Sequence, residues 1–151
     1  MKLSIIIPVF NEEGSLRELH RQITDSIKMF EEYEIIFIDD GSSDESKLII
    51  QNMIEKDSRV KLISFFRNFG KSAALSEGFK YASGDIIITM DADLQDDPKE
   101  IPALISKLNE GFDLVSGWKK KRYDPWTKTF PSKIFNFVTR ILTGVKIHDF
   151  N

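Results

Sequence analysis

Cysteine is missing from all 151 residues, which excludes disulfides, thiolate metal sites and cysteine nucleophiles and fits a reducing compartment. Histidine occurs twice, as His20 and His148, without the spacing of a metal pair. No Ser-His-Asp or nucleophile-elbow pattern accompanies them, so covalent hydrolase chemistry has no support. No apolar run reaches the ~18 residues that span a bilayer. The opening "MKLSIIIPVFNEE" has too short an apolar stretch, followed by acids, for a secretory signal, and reads as a first strand. Internal repeats, low-complexity tracts and Gly/Ser linkers are also lacking. A single domain over 1–151 is therefore expected, of a length that buries about 70% of its unfolded surface.

What is present is ordinary in bulk and uneven in charge. The 41% hydrophobic and 30% charged content is that of a globular protein. The formal charge of −3 conceals 13 basic against 22 acidic residues over 1–116, and 8 against 2 over 117–151. Such a basic segment suits phosphate, nucleic acid or an anionic membrane surface, or simply a solvated face.

Short β-branched runs alternate with helical patterns, the signature of βα units building a mostly parallel sheet. Strands are expected at Leu3–Val9, Glu34–Asp39, Val60–Phe65, Asp85–Met90 and Asp113–Ser116. Leu16, Leu19, Ile23, Ile27 and Phe30 recur at helical spacing, as do Ile101, Leu104, Ile105 and Leu108. Ser42 with Glu45, and Asp97 with Glu100 behind Pro98, have capping-box spacing and predict helix starts near Ser43 and Pro98. His20 reads as helix surface. Open parallel sheets bind ligands beyond the carboxyl ends of their strands, so the polar residues after each strand carry most weight.

Behind the fourth strand, "DADLQDD" crowds carboxylates that would repel one another unless a cation sits there. On an extended segment Asp91 and Asp93 would point the same way, with Gln95 continuing the alternation. One or two carboxylates, completed by water and substrate phosphates, are the usual holders of Mg²⁺ or Mn²⁺ in nucleotide chemistry. A calcium loop is the rival, without the EF-hand glycine and glutamate, and helix capping accounts for Asp97 alone.

After the second strand, Asp39 and Asp40 could hydrogen-bond a base or ribose, whereas Ser42, Ser43 and Asp44 suit turn chemistry. "FFRNFGKSAAL" contains GKS, but Phe65 stands where a P-loop needs its first glycine. Arg67 and Lys71 could still reach a diphosphate, or Lys71 could sit on a solvated first turn. The densest basic run, "GWKKKRYDPW", interleaves Trp118, Tyr123 and Trp126 with cations, as at membrane interfaces, with nucleic acid as the rival partner. The stripe Phe130, Ile134, Phe137, Val138, Ile141 and Leu142 suits either a core-facing or an interfacial helix.

Taken in order, "SIIIPVFNEE", "FIDDGSSDES", "RNFGKSAALSEGF", "DADLQDDPKEIP" and "VSGWKKKR" resemble the family 2 glycosyltransferases of GT-A fold, a Rossmann-like α/β architecture. Among them, the nearest likeness is to the branch that moves a sugar from a nucleotide donor to a polyprenyl phosphate. The resemblance implies that Pro8, Glu12 and Asp40 line base and ribose with Lys71 nearby. Asp91, Asp93 and Gln95 become the set for the metal and the donor diphosphate. Where many relatives carry G-x-R, this chain has Gly117-Trp118-Lys119 with Arg122 three residues on, so either Lys119 or Arg122 would hold phosphate. The implied reaction is an inverting transfer from a UDP- or GDP-sugar, assisted by Mg²⁺ or Mn²⁺, at the cytoplasmic face of a membrane, with no nucleic acid. The resemblance also implies a longer protein continuing beyond "HDFN" into membrane helices; a homo-oligomer stays open. The alternatives are a polysaccharide or other glycan acceptor, a nucleotidyltransferase, and a nucleotide-binding module without turnover.

Overall fold

The computed structural model describes residues 1–117, and the segment from Trp118 onward, with Lys119, Arg122 and the 130–142 stripe, lies outside the described residues. Met1–Val115 make one compact unit. Its elements run β1 (Lys2–Val9), α1 (Leu16–Ile27), β2 (Glu32–Asp39), α2 (Ser46–Ile54), β3 (Val60–Ser64), α3 (Lys71–Tyr81), β4 (Ile86–Thr89) and α4 (Ile101–Leu108), the last entered through a 3₁₀ turn at Pro98–Glu100. The strands stand in the order β3-β2-β1-β4, and every pairing is parallel. This is the α/β architecture expected of the sequence.

Burial on both faces explains why β1 and β2 read as nearly continuous apolar runs. On one face Leu3, Ile5 and Ile7 pack with Ile35 and Phe37 under the α1 stripe Leu16, Leu19, Ile23 and Ile27 and against Ile101 and Ile105 of α4. On the other face Ile6, Ile36 and Ile38 meet Ala74 of α3 in a thinner cluster. Gly78 lets α3 lie close there. A Cβ at this position would stand 2.5 Å from Ile6 Cγ2 and 3.0 Å from Ile38 Cδ1.

Three expectations need correction. Asp113–Ser116 forms no strand, and Leu114 is 84% exposed, because no neighbouring ladder pairs with it among the described residues. Helix α2 starts at Ser46 rather than near Ser43, since the Ser42 hydroxyl accepts from Asn11 N instead of capping the helix. His20 is half-buried rather than on the surface: its Nε2 has no hydrogen-bond partner and lies 4.0 Å from Asp57 Oδ2. Burial lowers its pKa more than Asp57 raises it. The second cap is as expected, with Asp97 Oδ1 accepting from Lys99 N at 3.0 Å.

Candidate active site

The chain leaves β1 toward β2 and β3 on one side, then returns to place β4 on the other. That reversal opens a crevice at the carboxyl ends of β1 and β4, where a parallel α/β sheet receives its ligand. The crevice encloses about 320 Å³. Pro8 comes from the end of β1, Phe10 and Glu12 from the following loop, Asp40 from the residue just after β2, Lys71 from the start of α3, and Asp91 and Asp93 from the turn after β4. Of the residues singled out in the sequence, these six acids, cations and prolines other than Phe10 are brought together. Phe10, Asn68 and Ala92 also line the crevice and were missed. Phe10 and Asn68 sit inside the quoted motifs, but nothing in their residue type marks them.

Hydrogen bonds between loops hold this rim. Asn11, at φ 57°, accepts from Ser43 N at 2.8 Å while its own N–H donates to Ser42 Oγ. Glu12 N donates to Ser46 Oγ at 2.8 Å, Glu13 N to Asp44 Oδ2 at 3.1 Å, and Glu45 N to Glu13 Oε2 at 2.8 Å. The "NEE" and "GSSDES" segments thus satisfy each other's backbone donors, and the turn roles expected of Ser42, Ser43 and Asp44 are observed. Partial burial would raise the Asp44 pKa, but hydrogen bonds from Ser46 and Glu13 outweigh it and hold the carboxyl below its usual range.

The two acids at the end of β2 divide their work. Asp39, 1% exposed, does not line the crevice: its Oδ1 accepts from Ser42 N and its Oδ2 from Ser64 Oγ, both at 3.0 Å. Asp40, 3% exposed, lines the crevice but gives Oδ1 to Phe69 N at 2.7 Å and Oδ2 to Gly70 N at 2.9 Å. Both oxygens fasten the loop that leads into α3. Gly41, at φ +72°, passes so near that loop that a Cβ would stand 2.4 Å from the Arg67 carbonyl carbon. Arg67 points its guanidinium over Phe69, 4.8 Å from the ring centroid, and is not among the crevice lining.

The acidic turn also departs from its expected geometry. β4 ends at Thr89, so Asp91–Asp93 lie in a turn rather than on an extended strand, and alternation does not govern their directions. Leu94 takes φ 63°, a conformation costly for a branched side chain and typical of constrained sites. Beyond it Gln95 lines a separate depression of about 430 Å³ with Arg21, Asp25 and Asp97. Gln95 is therefore not among the residues that line the crevice with Asp91 and Asp93. Asp93 Oδ1 accepts from Gln95 N at 3.0 Å, and Asp91 Oδ1 is ion-paired with Lys71 Nζ.

Among the described residues, no set of three or more histidines, cysteines or carboxylates is placed to hold a metal. Two carboxylates facing one crevice do fit Mg²⁺ or Mn²⁺, which ordinarily take one or two protein oxygens and fill their shell with water and phosphate. Chemically, the crevice lining presents the carboxylates of Glu12, Asp40, Asp91 and Asp93 and the ammonium of Lys71.

A parallel α/β sheet with a crevice at its switch point defines the open, wound α/β class of fold, whose members bind ligands at that edge. Residues 4–150 match the family "Glycosyl transferase family 2", and the chain belongs to it. The undecaprenyl-phosphate 4-deoxy-4-formamido-L-arabinose transferases of Salmonella typhimurium and Salmonella choleraesuis are 44% identical over 151 residues, 99% of this chain and 46% of theirs. The chain thus spans about half the length of the curated relatives it matches.

Solved structures agree on the GT-A fold. Glucosyl-3-phosphoglycerate synthase from Mycobacterium tuberculosis in complex with uridine diphosphate superimposes with a TM-score of 0.69 at 22% identity, over 95% of this chain and 50% of that one. The mannosyltransferase PcManGT from Pyrobaculum calidifontis, in complex with GDP-Man and Mn²⁺, gives 0.60 at 22% identity over 67% and 30%.

Proposed function

We infer that the protein transfers a sugar from a nucleoside-diphosphate donor to a polyprenyl phosphate. The observation that carries this reading is the 44% identity, along 99% of the chain, to transferases whose names specify undecaprenyl phosphate. The crevice supports it, because Lys71, Asp91 and Asp93 converge where a donor diphosphate and its ion would lie. Pro8 and Glu12 form the wall beside the base and ribose, and Asp40 shapes that wall by holding Phe69 and Gly70.

Asp91 and Asp93 would hold Mg²⁺ or Mn²⁺, which when bound neutralises charge on the departing nucleoside diphosphate. The protein's own residues supply placement. Lys71 offers a cation to the diphosphate, and the rigid rim fixes the donor so that an acceptor oxygen can approach the anomeric carbon from the opposite face. A phosphate acceptor is already anionic and needs no strong general base. Either Lys119 or Arg122 is the proposed cation for that acceptor, at the cytoplasmic face of a membrane. No helix of the described residues is long and apolar enough to cross one.

The test is to incubate the full-length protein with a panel of UDP- and GDP-sugars and a polyprenyl phosphate. A glycolipid together with free nucleoside diphosphate is the expected result. Release of pyrophosphate would instead indicate nucleotidyl transfer, and sugar appearing on a polysaccharide would move the acceptor to another class.

A further inference from the structure

Lys71 opens α3, and its ammonium spans the crevice to Asp91 Oδ1. The backbone beneath it is anchored. Asp40 holds the amides of Phe69 and Gly70, the two residues immediately before Lys71, and Gly41 allows the 67–68 backbone to pack against the turn after β2. The ion pair itself is accessible, with side-chain exposures of 57% for Lys71 and 39% for Asp91. Fixed backbone beneath exposed side chains describes a contact that can exchange partners without rebuilding the fold.

A divalent ion held by Asp91 would share that carboxylate with the Lys71 ammonium, and two cations on one carboxylate repel. The crevice offers the displaced ammonium a second anion, the diphosphate of a nucleotide seated among the same residues. We propose that Lys71 is an exchangeable counter-cation of Asp91 that makes binding of the divalent ion and of the nucleoside diphosphate depend on each other. An ion arriving alone must displace the ammonium. A nucleotide arriving alone meets an ammonium already committed to Asp91 and the charge of Asp93 beside it. Together, ion and diphosphate give every charge a partner, and the coupling is reciprocal. The inference rests on the metal placement of the proposed function.

The experiment titrates Mn²⁺ into the full-length protein, following free Mn²⁺ by electron paramagnetic resonance, for wild type, Lys71→Met, Asp91→Asn and the double variant. Circular dichroism checks that each is folded. Without nucleotide, Lys71→Met is expected to bind Mn²⁺ about two- to fivefold more tightly than wild type, the range an exposed ion pair supplies. On the Asp91→Asn background the same substitution should change little. In parallel, Lys71→Met should weaken UDP or GDP binding more with Mn²⁺ present than without it. Unchanged or weaker Mn²⁺ binding by Lys71→Met would overturn the inference while leaving the transferase reading intact. Failure of wild type to bind both Mn²⁺ and either nucleotide would remove the donor site, and the inference with it.

Discussion

Glu34 is 2% exposed at the opposite end of the sheet from the crevice, yet it is charged and fully engaged. Its Oε1 accepts from Ser4 Oγ at 2.6 Å and from Ser83 N and Oγ at 2.7 and 2.8 Å, and its Oε2 accepts from Lys61 Nζ at 2.6 Å. Burial alone would raise its pKa, but the bonds from Lys61, Ser4 and Ser83 prevail and lower it from 4.5 to about 2. The stabilisation is complete above about pH 4.5, where the unfolded chain is ionised too. It fades as the pH falls toward 2 and the folded state must accept the proton. A shift of this size corresponds to about 3 kcal/mol. Glu34→Ala should therefore lower stability by about 3 kcal/mol near neutral pH in a urea titration, and the gap to wild type should narrow below pH 4.5. A pH-independent gap would contradict the charged network. Nothing in "YEIIFIDD" announces this role, since the partners lie 27 to 49 residues away in sequence. The same distance blindness hid the commitment of Asp40 to Phe69 and Gly70, and the burial of His20 against Asp57.

Elements were more legible than their ends. The α1 stripe Leu16, Leu19, Ile23 and Ile27 is the buried set of that helix, because periodicity records which side faces the sheet. Boundaries depended on rival hydrogen-bond partners that spacing does not reveal. Ser42 and Glu45 have capping spacing, but the Asn11 amide claims the Ser42 hydroxyl and the Glu45 amide donates to the Glu13 carboxylate instead, whereas Asp97 accepts from Lys99 N and caps as expected. Helix α3 gives the clearest consequence at this scale, since Gly78 sets how near it lies to β1 and β2. Gly78→Val should push it from the sheet and cost about 1–3 kcal/mol by overpacking, read as a lowered Tm. An unchanged Tm would mean that Ile6 and Ile38 yield freely. Because α3 carries Lys71 at its start, the variant should also weaken nucleotide binding.

At the scale of the molecule, alternating βα patterns made the parallel sheet readable, and the strand-end polar clusters marked the edge where the crevice opens. Strand order was not readable, and it is the return of β4 beside β1 that brings "DADLQ" opposite "RNFGK". Five ordered motifs pointed to the family to which the chain belongs. Of the three residues proposed for the metal, Asp91 and Asp93 line the crevice, whereas Gln95 lines the neighbouring depression. Metal-assisted donor binding in this crevice is tested most directly by calorimetric titration of a nucleotide sugar into the full-length protein, with and without Mn²⁺, for wild type and Asp93→Ala. Wild type should bind the donor more tightly with Mn²⁺, and Asp93→Ala should lose most of that enhancement, a drop of at least about tenfold or 1.4 kcal/mol. Donor binding that responds to Mn²⁺ equally in both proteins would contradict it.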